Sequence, residues 1–338
     1  MRELFALLEA LCAAPGVSGT EDGAAALAAE ELARFCRVRC DALGSVIGTR
    51  EGRGAHLLLD AHLDQIGMVV TGVEDGGFLR VAKCGCMDLR VLAGQEVLVH
   101  GSETLFGVIP AQAPHLSEKD EEAPDWDALC VDIGCTRERA QRLIPLGSRV
   151  RLRPAVRRLG KTRLTSPALD NRAGVAAVLR CLELLQGEET CPLTVLFSVQ
   201  EETGGVGARA GGFAVAPEEA LVVDVSFAQG VGVSSGEAQG LLGGGTMIGV
   251  APGLDLEISD RLFGLAKEHG IAHQTEIMGG RSGTNADFLQ GAGRGIPCGL
   301  LSIPLRNMHT GAELAALTDI EATAQLLAAY ARERGRLG

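Results

Sequence analysis

Four apolar runs in this chain end in a histidine or a carboxylate, and that pattern limits the fold more than anything else in the sequence. The runs are HLLLDAHL at 56–63, PLTVLFSVQEE at 192–202, EEALVVDVSFA at 218–228 and CGLLSIPLRNMH at 298–309. Short runs this apolar read as strands buried on both faces, which belong in a sheet covered by helices. In open α/β sheets, sites are built outside the carboxyl ends of strands. His62, Glu202, Asp224 and His309 fall in such places, and with Asp170 they make a set of two histidines and three carboxylates that suits a pair of divalent metals.

The local settings add detail. In HLLLDAHLD, residues two apart share a face of a strand, so Asp64 is placed to orient the ring of His62. Asp170 opens ALDNRAGVAAVLRCLELLQ at 168–186, a helical pattern, where free backbone N–H groups and the helix dipole would keep it ionised and able to bridge two cations. Glu201 and Glu202 close their strand at a Gly-rich turn. Adjacent strand residues point to opposite faces, so one of the two would ligate and the other stay free to act as a base.

The chain has 338 residues, 46% hydrophobic and 22% charged, the composition of an ordinary globular protein of one or two domains. A net charge of −12 argues against nucleic acid or an anionic membrane as partner. No run approaches the ~20 apolar residues of a spanning helix. Ten scattered cysteines and a start without signal-peptide character point to a reducing, cytoplasmic setting. Cys84-Gly-Cys86 has the wrong spacing for structural zinc and reads as two buried thiols.

Helical periodicity spans 3–13 and 20–36, with a turn and N-cap predicted at Ser18 to Glu21, and strands read at VRCDALGSVIGTR and HLLLDAHL. Between about Gly67 and Arg163 short β-prone runs alternate with turns, and one short charged helix reads near TRERAQRLI. From Ala168 helices and strands alternate, with long helices predicted at 171–187, 255–269 and 318–334. The chain thus divides into an α/β domain over 1–66 and 164–338 and a small all-β, barrel-like insertion over 67–163. The acidic tract from Glu118 to Asp127 reads as an exposed loop. LLGGGTMIG lacks the Lys-Ser or Lys-Thr of a phosphate loop and reads as tight turns or backbone donors near substrate.

In order along the chain, APGVSGTE, DAHLDQIGMVV, LAGQEVLVHG, GVIPAQAPHL, CVDIGCTRERA, ALDNRAG, QEETGGVGA, VVDVSF, RSGTNAD and IPLRNMHT resemble the family 42 co-catalytic metallopeptidases. This family contains the tetrahedral and glutamyl-leucyl aminopeptidases and some proteins called endoglucanases. The resemblance runs end to end. It implies a three-layer zinc-peptidase-like sheet flanked by helices, with a β insertion that serves oligomer assembly and access. It also implies that His62, Asp170 and Asp224 hold one metal and Asp170, Glu202 and His309 the other, with Glu201 as general base and Asp64 supporting His62. A homo-oligomer, a dodecamer, and short peptide substrates follow from the same resemblance. Many relatives carry Asp where this chain has Asn285 and an aromatic residue where it has Asn307, differences that bear on pocket shape.

Amide hydrolysis needs a strengthened nucleophile and a counter-charge for the oxyanion, which two cations supply. Three protein ligands apiece is the open pattern of a catalytic site. Imidazole with carboxylate suits zinc or cobalt, and manganese as well. His56, His100, His269 and His273 read as structural, whereas His115 lies on an insertion loop with the reach to enter a neighbouring subunit's site. An acylase or carboxypeptidase could use the same metals but would need an arginine for the substrate carboxylate, with Arg172, Arg281 and Arg306 as candidates. A glycosidase fits worst, because it has no use for His62 and His309 and 3% aromatic content gives few sugar platforms.

Overall fold

The computed structural model describes residues 3–111, 125–234 and 239–336. His115 and most of the acidic tract lie outside the described residues. Two helices, α1 (Leu4–Ala13) and α2 (Asp22–Leu32), precede strands β1 (Arg37–Cys40), β2 (Val46–Arg50) and β3 (Leu57–His62). Next come β4 (Gly67–Val73), β5 (Leu79–Cys84), β6 (Glu96–His100), β7 (Thr104–Val108), β8 (Cys130–Val131), α3 (Arg137–Leu143) and β9 (Arg149–Leu152). β10 (Arg157–Leu159) and β11 (Arg163–Ser166) lead to α4 (Leu169–Leu184), β12 (Leu193–Ser198), α5 (Val206–Val215) and β13 (Glu219–Phe227). The chain continues through β14 (Thr246–Val250), α6 (Leu256–Glu268), β15 (His273–Ile277) and α7 (Ala286–Leu289). It closes with β16 (Cys298–Arg306), β17 (Glu313–Ala316) and α8 (Leu317–Arg336).

The fold is α/β. Its main sheet has the order β1-β2-β12-β3-β13-β16-β17-β11-β10, with β14 and β15 attached beside β16. The centre is parallel: β12 and β13 flank β3, and β13 also pairs with β16. β3 is buried along its whole length, Asp60 and His62 included, as a central strand covered on both faces must be. Alternation then assigns the two faces. Leu57, Leu59 and Ala61 join the core with residues of α1, α2, α4, α6 and α8, while Leu58 packs with Leu196, Val222 and residues of α5 and α7. Helices on both faces make the three layers. Leu59→Ala, at a side chain with no exposure, should cost about 2–5 kcal/mol, read as a lower midpoint in urea unfolding.

A second sheet, β7-β6-β9-β4-β5-β8, carries the strands between Gly67 and Leu152 and has its own core around Met68, Val81, Val99 and Val150. β10 and β11 instead pair into the main sheet, β11 against β17. The two sheets are tied through the end of α1. Arg151 of β9 donates to the carbonyls of Cys12, Ala13 and Ala14, and fully buried Arg172 of α4 donates to that of Leu11. Cations at a helix carboxyl end satisfy its free carbonyls and complement its dipole. Among the described residues no helix is long and apolar enough to cross a membrane.

Candidate metal centre

β3, β12, β13 and β16 run the same way, so their carboxyl ends meet at one edge of the sheet. His62 is the last residue of β3, Asp224 lies in the last half of β13, Glu201 and Glu202 sit in the turn after β12, and His309 follows β16. Residues far apart in sequence are thereby brought together.

The distances resolve two groups that share one residue. His62 Nε2 is 3.1 Å from Asp170 Oδ1 and 3.6 Å from Asp224 Oδ1. His309 Nε2 is 3.1 Å from Asp170 Oδ2 and 3.3 Å from Glu202 Oε1. Asp170 turns one oxygen to each group, and each triad has the composition and spacing to hold a metal ion. The ring of His62 is set from behind, because its Nδ1 lies 3.1 Å from the carbonyl oxygen of Asp64 and 3.3 Å from Oδ1 of that residue. A carbonyl only accepts, so Nδ1 carries a proton, and Nε2 is left to face Asp170 and Asp224.

Asp64 has a second task that sequence reasoning did not foresee. Its Oδ1 accepts from the backbone N–H of Glu201 at 2.9 Å and its Oδ2 from that of Glu202 at 3.0 Å. The strand-alternation argument for the glutamate pair does not apply, because β12 ends at Ser198 and both residues lie in a turn. Only Glu202 joins a triad. The turn is held further by Glu21, whose Oε1 accepts from Gln200 N at 3.1 Å, and by Ser18, 2.7 Å from Thr203 across the hydroxyl oxygens. Glu21 occupies the predicted N-cap position of α2, but its side chain serves Gly19 and Gln200 and makes no cap.

The expectation for Asp170 also needs correction. It has extended, non-helical backbone in the first turn of α4, and its two carboxylate oxygens face the rings of His62 and His309 rather than the helix N–H groups. Asn171 performs the capping instead: its Oδ1 accepts from Gly174 N at 3.0 Å and its Nδ2 donates to Val223 O at 2.7 Å. The N–H of Asp170 donates to Glu313 Oε2 at 3.1 Å, and the N–H of His309 to Glu313 Oε1 at 2.9 Å. Glu313 was not read as a site residue; its one sequence signal is a carboxylate set directly against the apolar LAAL of β17 and the start of α8. His309 has φ 62°, a left-handed backbone that costs a non-glycine residue roughly 1–2 kcal/mol.

Protonation follows from this crowding. Burial lowers the affinity of His62 for a proton, but Asp170, Asp224 and Asp64 outweigh it and raise its pKa well above the ordinary value. His309 is pushed up to about 11, since its bonds to Asp170 and Glu202 overcome burial. Asp170, although buried, is held below the usual carboxylate range by the two rings. Burial raises Glu202 and Asp224, and it pushes Glu201 up to about 8. A buried group of carboxylates stays ionised only with positive charge among them, so the site draws cations.

A family model described as M42 glutamyl aminopeptidase matches residues 44–326. The chain belongs to the M42 peptidase family. The M42 chain is 32% identical over 335 residues to a lysyl aminopeptidase of Pyrococcus furiosus, covering 97% of this chain and 96% of that one. An aminopeptidase structure from Desulfurococcus kamchatkensis is similar with a TM-score of 0.92 and 30% identity, over 98% of this chain and 94% of the other. The Pyrococcus horikoshii TET1 peptidase, described as assembling into a tetrahedron or a large octahedral shell, has a TM-score of 0.87 at 29% identity, over 98% and 100%. This M42 protein is a peptide hydrolase of the aminopeptidase kind.

Other residues of the M42 chain singled out from sequence now find their places. Asn285 is buried and its Nδ2 donates to Asp60 Oδ2 and Ser198 Oγ, both at 2.8 Å, so it sits within the fold. An Asp there would set a second carboxylate against buried Asp60. Asn307 Nδ2 donates to Ala312 O and closes the turn that carries His309. Cys84 is half-buried and Cys86 exposed, not two buried thiols, and neither belongs to a metal-binding group among the described residues. In LLGGGTMIG, Gly243 and Gly245 donate to the carboxylate of Asp319, as turns do. Arg172 is fully buried, Arg281 pairs with Asp287, and Arg306 donates to Gln229 O.

Proposed function

We propose that this chain is a two-metal aminopeptidase that removes residues from the free N-terminus of short peptides. The observation that carries this reading is Asp170, whose two oxygens each stand 3.1 Å from a different histidine. His62, Asp170 and Asp224 would hold one divalent ion and Asp170, Glu202 and His309 the other. The residues fit such ions: Oε1 of Glu202 faces the ring of His309 at 3.3 Å, and the donors of both triads are imidazole and carboxylate, which suits zinc, cobalt or manganese. When bound, the pair supplies charge that strengthens a water as nucleophile and stabilises the oxyanion.

The protein's own residues do the rest. Glu201 belongs to neither triad and is held by its backbone N–H at Asp64, so its carboxylate is free to take a proton from water and pass it to the leaving amine. Asp64 orients His62 and fixes the glutamate turn together. The acylase or carboxypeptidase alternative gains nothing from Arg172, which is committed to the end of α1.

The test is the rate on amino-acyl anilides of leucine, glutamate, lysine and alanine, with free and acetylated amines, before and after chelation. Cleavage confined to free amines, lost on chelation and restored by zinc or cobalt, is the expected result. Cleavage of acetylated substrates alone would overturn it.

The division into 1–66 with 164–338 and 67–163 is proposed as catalytic and accessory, with the insertion serving assembly and access, except that β10 at 157–159 pairs into the main sheet. Its strand β7 is an edge strand with Phe106 and Val108 exposed, a surface suited to further contact. The proposed state is a homo-oligomer of twelve chains, so light scattering should give a mass about twelve times 35.2 kDa. A monomer in solution would contradict it.

A further inference from the structure

We infer that Glu313 is a positioning residue of the metal centre, one carboxylate that sets the bridging aspartate and a terminal histidine at a fixed separation. This rests on the two-metal reading above and deepens it. The carboxylate is buried and its oxygens are divided, Oε2 taking the N–H of Asp170 at 3.1 Å and Oε1 that of His309 at 2.9 Å. Asp170 and His309 lie far apart in sequence, in the distorted first turn of α4 and on the turn after β16, and neither has regular helix or strand backbone. Neither can rely on a helix or strand ladder to fix its amide. Glu313 supplies that fixture from the first residue of β17, whose place is set by pairing with β11, where Ser166 lies opposite it.

The site is built twice by the same device. Asp64 divides its oxygens between the N–H groups of Glu201 and Glu202 in the same way. Between them, Asp64 and Glu313 hold the backbone of Asp170, Glu202 and His309, the whole of one triad. The other triad shares only Asp170 with Glu313, since His62 is fixed by Asp64 and Asp224 by the ladder of β13. Loss of Glu313 should fall harder on the ion held by Asp170, Glu202 and His309.

The test is cobalt titration of metal-free parent and Glu313→Gln protein, followed by the visible absorption of bound cobalt and by calorimetry. The amide keeps the shape but sets a donor against one of the two N–H groups. One of two cobalt ions should weaken by about 10–100-fold, the usual effect of losing an outer partner of a ligand, with the other changed by less and the cobalt spectrum of the weakened ion altered. A merely structural carboxylate would lower the melting temperature of the metal-free protein and leave the gap between the two affinities as it was. Unchanged affinities, or equal weakening of both, overturn the inference. Should Glu313→Gln fail to fold, Glu313→Asp, which keeps the carboxyl group but is too short to reach both amides, is read by the same criterion. A parent that binds fewer than two cobalt ions overturns the two-metal reading itself, whereas a parent that binds two beside an unaffected variant overturns only the role of Glu313.

Discussion

Glu201→Gln is expected to lower turnover by about 10²–10⁴-fold while bound metal stays at the parent level. The substitution keeps the shape of the side chain and the backbone N–H that Asp64 holds, so the turn carrying Glu202 has no reason to move. What is lost is an oxygen able to take a proton. Since Glu201 stands outside both triads, no ligand is removed. Steady-state rates on a leucyl anilide, paired with metal analysis of the same sample, decide the matter. A fall in metal equal to that of His309→Ala would show that Glu201 is a ligand and not the base.

The second large effect is at the shared ligand. Asp170→Ala should remove both ions and leave activity at the rate without enzyme, because Oδ1 serves the His62 group and Oδ2 the His309 group. His309→Ala, by contrast, takes a ligand from one triad only and should retain the ion at His62, Asp170 and Asp224. Metal content after gel filtration reads the difference. If Asp170→Ala kept one tightly held ion, Asp170 would be a ligand to a single metal and the bridge would be wrong.

The long elements were legible because their patterns are strong. The predicted helices at 171–187, 255–269 and 318–334 correspond to α4, α6 and α8, and the buried strands to β3, β12, β13 and β16. α5 was missed, since TGGVGARAGG reads as turn by propensity. Its glycines are there for close approach: a Cβ on Gly211 would lie 2.5 Å from the side chain of Leu196 in β12. Contact with the sheet outweighs the cost of glycine in that helix, and no local rule reports such a contact.

For the site, residue type and position after an apolar run single out His62, Glu202, Asp224 and His309 as candidates, since parallel strands deliver their carboxyl ends to one edge whatever their order in the sheet, while Asp170 comes from the start of a helical pattern. Composition with strand pattern likewise sufficed for the α/β class. What only the tertiary structure decided is which groups face which. The division of Asp170 between two histidines, the capping of α4 by Asn171, and the hold of Asp64 and Glu313 on backbone amides of other segments all depend on distances across the fold. Periodicity carries the direction of a side chain within its own strand or helix, but a hydrogen bond between a carboxylate and a distant amide leaves no period in the sequence.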